Sequence, residues 1–158
     1  MAFAASYRDL VVYQKSRALA KELFEISKRF PPDERFSLTD QGRRSSRSIG
    51  AQIAEAWAKR FYERHFVSKL TDADGEQQET QHWVDVAGDC GYLDANTVSD
   101  LKKRLSEIGK MLQTMINKAD LFCAKGPRVV REDTADYFST PSRLNTRLRQ
   151  GYGGQAEH

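Results

Sequence analysis

Three groups of side chains have the types and spacing that chemistry requires. Glu79 and His82 form a Glu-x-x-His, which on a helix sets a carboxylate and an imidazole on one face, half of what a di-metal centre in a helical bundle uses. Such a centre needs a second Glu-x-x-His and two further inward glutamates. The sequence holds no second copy of the motif, so His82 reads as a helix-surface residue beside Glu79 and no metal is expected. Cys90 and Cys123 are the only cysteines. Two thiols exclude a disulfide framework and a four-cysteine zinc site, and both read as small apolar residues or residues near helix ends. The third group is basic: Arg43 and Arg47 stand four apart on one helix face with Arg44 beside them, among Ser45, Ser46 and Ser48. Those donors suit a phosphate backbone. No glycine-rich phosphate loop, nucleophile elbow or zinc ribbon occurs, so no cofactor is expected.

Charge is unevenly distributed around these residues. The chain has 158 residues with 25 Lys and Arg against 22 Asp and Glu, a net charge of +3 that selects no partner. Between residues 43 and 64, Arg43, Arg44, Arg47, Lys59, Arg60 and Arg64 outweigh Glu55 and Glu63, a net +4. Between residues 69 and 94, seven carboxylates face the single Lys69, a net −6. Opposite charge on successive helices either sets pairing and orientation, within one chain or between subunits, or leaves the basic helix to phosphates.

The elements that position these groups are helices. All four prolines lie at 31, 32, 127 and 141, so residues 33–126 contain none, which favours an unbroken ladder of helical hydrogen bonds. The first helix carries Val12, Leu19, Leu23, Ile26 and Phe30 on one stripe, with Ser16 filling one slot, opened by a Ser6-to-Asp9 capping box and closed by Pro31. A second starts at a Ser37-to-Asp40 cap and packs through the small or β-branched Gly42, Ser45, Ile49, Ile53 and Ala56. The third presents Phe66, Leu70, Ala73, Thr80, Val84 and Ala87 and stops at Gly91. The fourth has near-3.5 spacing through Val98, Leu101, Leu105, Ile108, Leu112, Met115, Ala119 and Phe122, behind a Thr97-to-Asp100 box. Short connections at residues 31–35 and 92–96 make neighbours antiparallel, whereas no turn signal marks the join between the second and third helices within residues 59–65. The expected fold is all-α, an antiparallel up-and-down four-helix bundle over residues 1–126 with a disordered C-terminal tail over 127–158. That tail, with Arg143, Arg147, Arg149 and a Gly-Tyr-Gly-Gly run, reads as a basic arm or an inert extension. Trp57 and Trp83 fall off the inward stripes, so partial exposure at a subunit interface is expected. The start of the chain lacks a secretory pattern and no apolar run approaches a membrane span, so a cytoplasmic protein with no membrane partner is expected.

Two resemblances add to this reading. Arg60 and His65 enclose four residues, similar to the catalytic signature of small helical ribonucleases of the HEPN type. That resemblance implies a histidine acid/base and an arginine stabilising phosphate charge. More extensive is the run from Gln41 to Glu55, which resembles the bacterial four helix bundle protein family encoded in intervening sequences of 23S ribosomal RNA genes. Gln41, Arg43, Arg44, Ser48, Ile49, Ile53, Ala54 and Glu55 match its second-helix pattern. Leu10, Tyr13, Phe30-Pro31, Phe36, Leu38-Thr39, Phe66, Leu70, Gly75, Glu79 and Gly91-Tyr92-Leu93 extend the match across residues 7–125. Gln52 replaces the usual asparagine, Ala56 the usual glycine, and Arg47 a commonly apolar residue.

The family resemblance implies up-and-down bundles that form cyclic homo-oligomers, pentamers among them, with no established catalysis. A related accessory protein of diversity-generating retroelements works beside a reverse transcriptase and is thought to bind nucleic acid through a basic surface. The expected function is therefore a non-enzymatic, homo-oligomeric scaffold or accessory protein, binding RNA or DNA through Arg43, Arg44, Arg47, Lys59, Arg60 and Arg64. In that reading Gln41, Arg43, Glu55 and Glu79 contribute structural pairing between helices two and three. The alternatives are a protein-interaction module without nucleic acid and a ribonuclease acting through Arg60 and His65.

Overall fold

A computed structural model describes residues 4–123. Four long helices, α1 (Val11–Ser27), α2 (Leu38–Ala58), α3 (Glu63–Asp89) and α4 (Ala95–Asn117), are followed by the single turn α5 (Ala119–Phe122). Contacts between them move in opposite directions along each neighbouring pair. Gly42 faces Leu23 and Gly50 faces Ser16; Arg44 meets Glu79 and Glu55 meets Lys69; Asp74 meets Gln113 and Asp85 meets Lys102; Lys15 meets Glu107 and Glu22 meets Arg104. The ring α1–α2–α3–α4–α1 is therefore closed and every neighbour is antiparallel, as an up-and-down bundle requires. The expected tail and its arginines lie outside the described residues. Among the described residues no helix is long and apolar enough to cross a membrane.

Ile49, Ile53, Phe66, Leu70, Leu101, Leu105, Ile108 and Leu112 are fully buried at the centre of the core. The inward stripes of α2, α3 and α4 match expectation, except that Val98 and Phe122 are half-buried at the ends. In α1 the inward slot near the C-terminus belongs to Ser27 rather than Ile26, and Ser16 is buried as well. Both hydroxyls donate to carbonyls of their own helix, to Phe24 O at 3.0 Å and Tyr13 O at 2.8 Å, which removes the cost of burying them.

Helix ends differ from expectation in detail. The Ser6–Asp9 box forms, but it closes a 3-10 turn at Tyr7–Asp9, and α1 begins two residues later. Ser37 makes no cap; its hydroxyl donates to Glu34 Oε2 at 2.6 Å, because its backbone is not in the extended conformation a capping serine adopts. The cap of α4 is Asp94, accepting from Thr97 N at 2.7 Å, which starts the helix before Thr97. Gly91 ends α3 with φ +74°, and the Tyr92 and Gly91 amides bond to Ala87 and Gly88 carbonyls at 2.9 Å each, a Schellman turn. The α2–α3 connection at residues 59–62 is a tight turn in which Tyr62 N reaches Lys59 O at 3.0 Å. It needs no glycine, and so left no composition signal.

Candidate functional site

Helix α2 carries its polar groups on two flanks. The phase of an α-helix separates successive residues by about 100°, so Arg43 and Arg47 share one flank and Arg44 falls on the other.

On the flank toward α1, Arg43 Nε donates to Ser27 Oγ at 2.7 Å and its guanidinium lies 4.7 Å from the centre of the Phe24 ring. Arg47 lies 5.3 Å from the same ring and Lys28 4.7 Å from it. Three cations thus surround one half-buried aromatic, each attracted by its negative face. Arg47 is exposed, and among the described residues neither it nor Arg43 has a carboxylate within ion-pair distance.

On the flank toward α3, charges are matched. Arg44 Nη2 pairs with Glu79 Oε1 at 3.1 Å and donates to Gln41 Oε1 at 3.3 Å, while Trp83 Nε1 donates to the same Glu79 oxygen at 3.1 Å. Glu55 meets Lys69 at 2.9 Å; that ammonium also reaches Asp72 at 3.4 Å and Gln52 at 3.2 Å. The Lys69 hydrogen bond holds the Glu55 carboxyl below its ordinary range, and Glu55 in turn holds the Lys69 ammonium above its own. Beneath this layer Thr80 Oγ1 lies 2.9 Å from Ser45 Oγ, both fully buried. Glu76 stands apart. Burial, then the neighbouring Glu79, pushes its carboxyl up, and its Oε2 is buried with no hydrogen-bond partner among the described residues. The expected pairing therefore involves Arg44 with Glu79 and Gln41, and Lys69 with Glu55. Arg43 belongs to α1 instead.

The remaining basic residues lie at the far end of α2. Lys59 ends the helix exposed, and Arg64 is exposed in the first turn of α3. Arg60 lies 4.3 Å over Trp57 and donates to the Trp57 carbonyl at 2.7 Å. The exposed His65 lies 5.5 Å from the Tyr62 ring. The guanidinium and imidazole of the ribonuclease-like pair thus lie against different rings, Trp57 and Tyr62. His82 is exposed with its ring 4.8 Å from Trp83, and Glu79 is committed to Arg44 and Trp83. Among the described residues no cluster of three or more histidine, cysteine or acidic side chains could hold a metal ion. Cys90 is exposed just after α3; Cys123 is half-buried just after α5, its thiol pushed up by burial.

Sequence reasoning missed Phe24, which lies off the inward stripe of α1 and organises the cations. An off-stripe aromatic with Lys28 four residues on was the available signal. It also missed Gln77, fully buried because Gly109 faces it: a Cβ at 109 would fall 2.3 Å from Gln77 Nε2.

Compared with known proteins, residues 8–114 match the sequence profile of the family described as 23S rRNA-intervening sequence protein. A crystal structure from Bacteroides thetaiotaomicron, a protein with unknown function from the S23 ribosomal protein family, superposes with a TM-score of 0.62 at 29% identity. The match covers 68% of this chain and 96% of that one. No curated protein matches.

Proposed function

As the chain belongs to the family of 23S rRNA-intervening sequence proteins, we propose that it is a non-catalytic, self-assembling bundle that binds RNA or DNA through α2. One observation carries this reading. The helix sorts its cations, pairing Arg44 with a carboxylate on one flank while Arg43 and Arg47 stand over Phe24 without one. A guanidinium held beside a ring keeps its charge without a carboxylate, and the N–H groups of Arg43 and Arg47 other than the Arg43 Nε–H bonded to Ser27 are the donors offered to a phosphate oxygen pair. Arg44, Lys59, Arg60 and Arg64 contribute to the attractive field at longer range rather than by primary contact. Self-assembly rests on the other flank, where Trp83 is half-buried and leaves part of its indole open to a second copy.

Fluorescently labelled RNA and DNA titrated at 50 and 200 mM salt test the binding. Affinity is expected to fall steeply with salt and to drop at least tenfold in the Arg43→Ala, Arg47→Ala double variant. Binding unchanged in that variant, or absent from the wild type at low salt, overturns the proposal. The RNA is expected to remain intact on long incubation; cleavage lost in His65→Ala would instead establish the ribonuclease reading. Light scattering reports the assembly, and a monomeric mass would remove that half of the proposal.

A further inference from the structure

The cations of α2 are half of a larger surface. On α1, Arg17 lies 5.9 Å from the Tyr13 ring; in the 3-10 turn before it Arg8 lies 4.5 Å from the Tyr7 ring, and the two tyrosines meet edge-on at 4.9 Å. Tyr13 lies in the seam with α2, since a Cβ at Gly50 would sit 3.5 Å from its ring. Beside it runs a shallow open groove lined by Arg8, Tyr13, Gln14, Arg17, Ala18 and Lys21. Lys21 stands between this group and the Phe24 cluster of Lys28, Arg43 and Arg47. From Tyr13 to Phe24 the row spans about 16 Å along the helix axis.

Among the described residues, carboxylates neutralise it at Lys28 alone. Asp9 accepts the Ala5 and Ser6 amides, Glu22 pairs with Arg104 of α4, and Glu25 holds Lys28 at 2.7 Å. Asp40 sits in the first turn of α2, complementing that helix terminus. Among the described residues Arg17 and Lys21 have no carboxylate within ion-pair distance.

We infer that the α1–α2 seam is a binding track for the phosphate backbone of single-stranded nucleic acid, with Arg17 and Lys21 forming a second contact row opposite Arg43 and Arg47. This rests on the nucleic-acid reading above and adds a helix to it. The linear run of stacked guanidiniums matches a repeating phosphate. The rings are covered by those guanidiniums, so bases do not stack on them and recognition is independent of sequence. An acidic flank of a second copy suits the seam less well, because Glu55, Asp72, Glu79 and Asp85 are engaged with Lys69, Arg44 and Lys102 of their own chain.

The test titrates the full chain with labelled oligouridine RNA and oligothymidine DNA of equal length at 50 and 200 mM salt. Four proteins are compared: wild type, Arg17→Ala with Lys21→Ala, Arg43→Ala with Arg47→Ala, and Lys110→Ala, a charge removed from the exposed surface of α4. Loss in the α1 double variant is expected to be at least tenfold at 50 mM, with the log–log salt slope shallower by about 1.4. Lys110→Ala is expected to change affinity less than twofold, and RNA and DNA are expected to bind within a few-fold of each other. If only the α2 double variant weakens binding, the seam is wrong while the broader reading stands. If the wild type binds neither strand at 50 mM, the broader reading falls and takes the seam with it. If the α1 variant keeps its affinity but changes mass in light scattering, the seam is a contact between copies and the inference is overturned.

Discussion

The two flanks of α2 use the same residue types to opposite ends. Toward α3, arginine and lysine meet carboxylates, a buried hydroxyl pair lies beneath them, and the net −6 of the acidic segment is partly compensated inside the chain. Toward α1, arginines meet aromatic rings, the backbones approach at Gly50, and positive charge is left uncompensated. Charge matched by charge fixes register and is locally silent. Charge held by a ring keeps its field. The lesson is that net charge along a helix says little until its flanks are separated.

Gly50→Leu strikes the α1 flank hardest. A Cβ there falls 3.3 Å from Ser16 Oγ and 3.5 Å from the Tyr13 ring, so a branched side chain must push α1 away. A loss of about 2–3 kcal/mol is expected in urea unfolding, with the Tyr13–Arg17 arrangement displaced. A change below about 0.5 kcal/mol would mean that the helices are not in close contact there.

Glu76→Gln sharpens the α3 flank. Buried near Glu79 and Asp72, with Arg44 the opposing cation, Glu76 has its folded-state carboxyl raised. A raised carboxyl favours the protonated form, so its stabilising contribution is fully present below the unfolded value and is lost as pH rises through the folded one. The glutamine variant is therefore expected to be more stable at pH 7 by about 1 kcal/mol, with the gap closing on acidification toward the carboxylate range. Thermal unfolding against pH checks this; a gap that widens toward low pH would contradict it.

The smallest effect belongs to the Arg44–Glu79 pair. Its side chains are 55% and 34% exposed, so solvent screens the attraction. A double-mutant cycle to alanine is expected to give a coupling of about 0.5 kcal/mol that shrinks in 1 M salt. A coupling above about 2 kcal/mol would show a desolvated pair and erase the contrast between the flanks.

The sequence made the α4 stripe legible because its inward positions are all apolar, so hydropathy and burial coincide. In α1 they part at Ile26 and Ser27, since a serine that donates to its own helix can be buried at little cost and hydropathy alone does not register that bond. Gln77 was illegible for a tertiary reason, the room left by Gly109 on the facing helix. The candidate site was half legible. The spacing of Arg43, Arg44 and Arg47 gave their phases, but which phase meets Phe24 and which meets Glu79 depends on the neighbours of α2.

Glu34 carries a further consequence. Its carboxylate accepts from Ser37 at one oxygen and from the Tyr92 hydroxyl, at 3.2 Å, at the other, so the α1–α2 and α3–α4 connections are fastened at the same end. Each helical hairpin can form from neighbouring sequence, whereas this bond spans 58 residues and closes only after both have docked. It is a latch that registers completed assembly. The two hairpins also meet along their lengths, through Arg44–Glu79 and Glu55–Lys69 between α2 and α3 and Glu22–Arg104 between α1 and α4, so Tyr92 marks the end of the bundle at which their docking is completed.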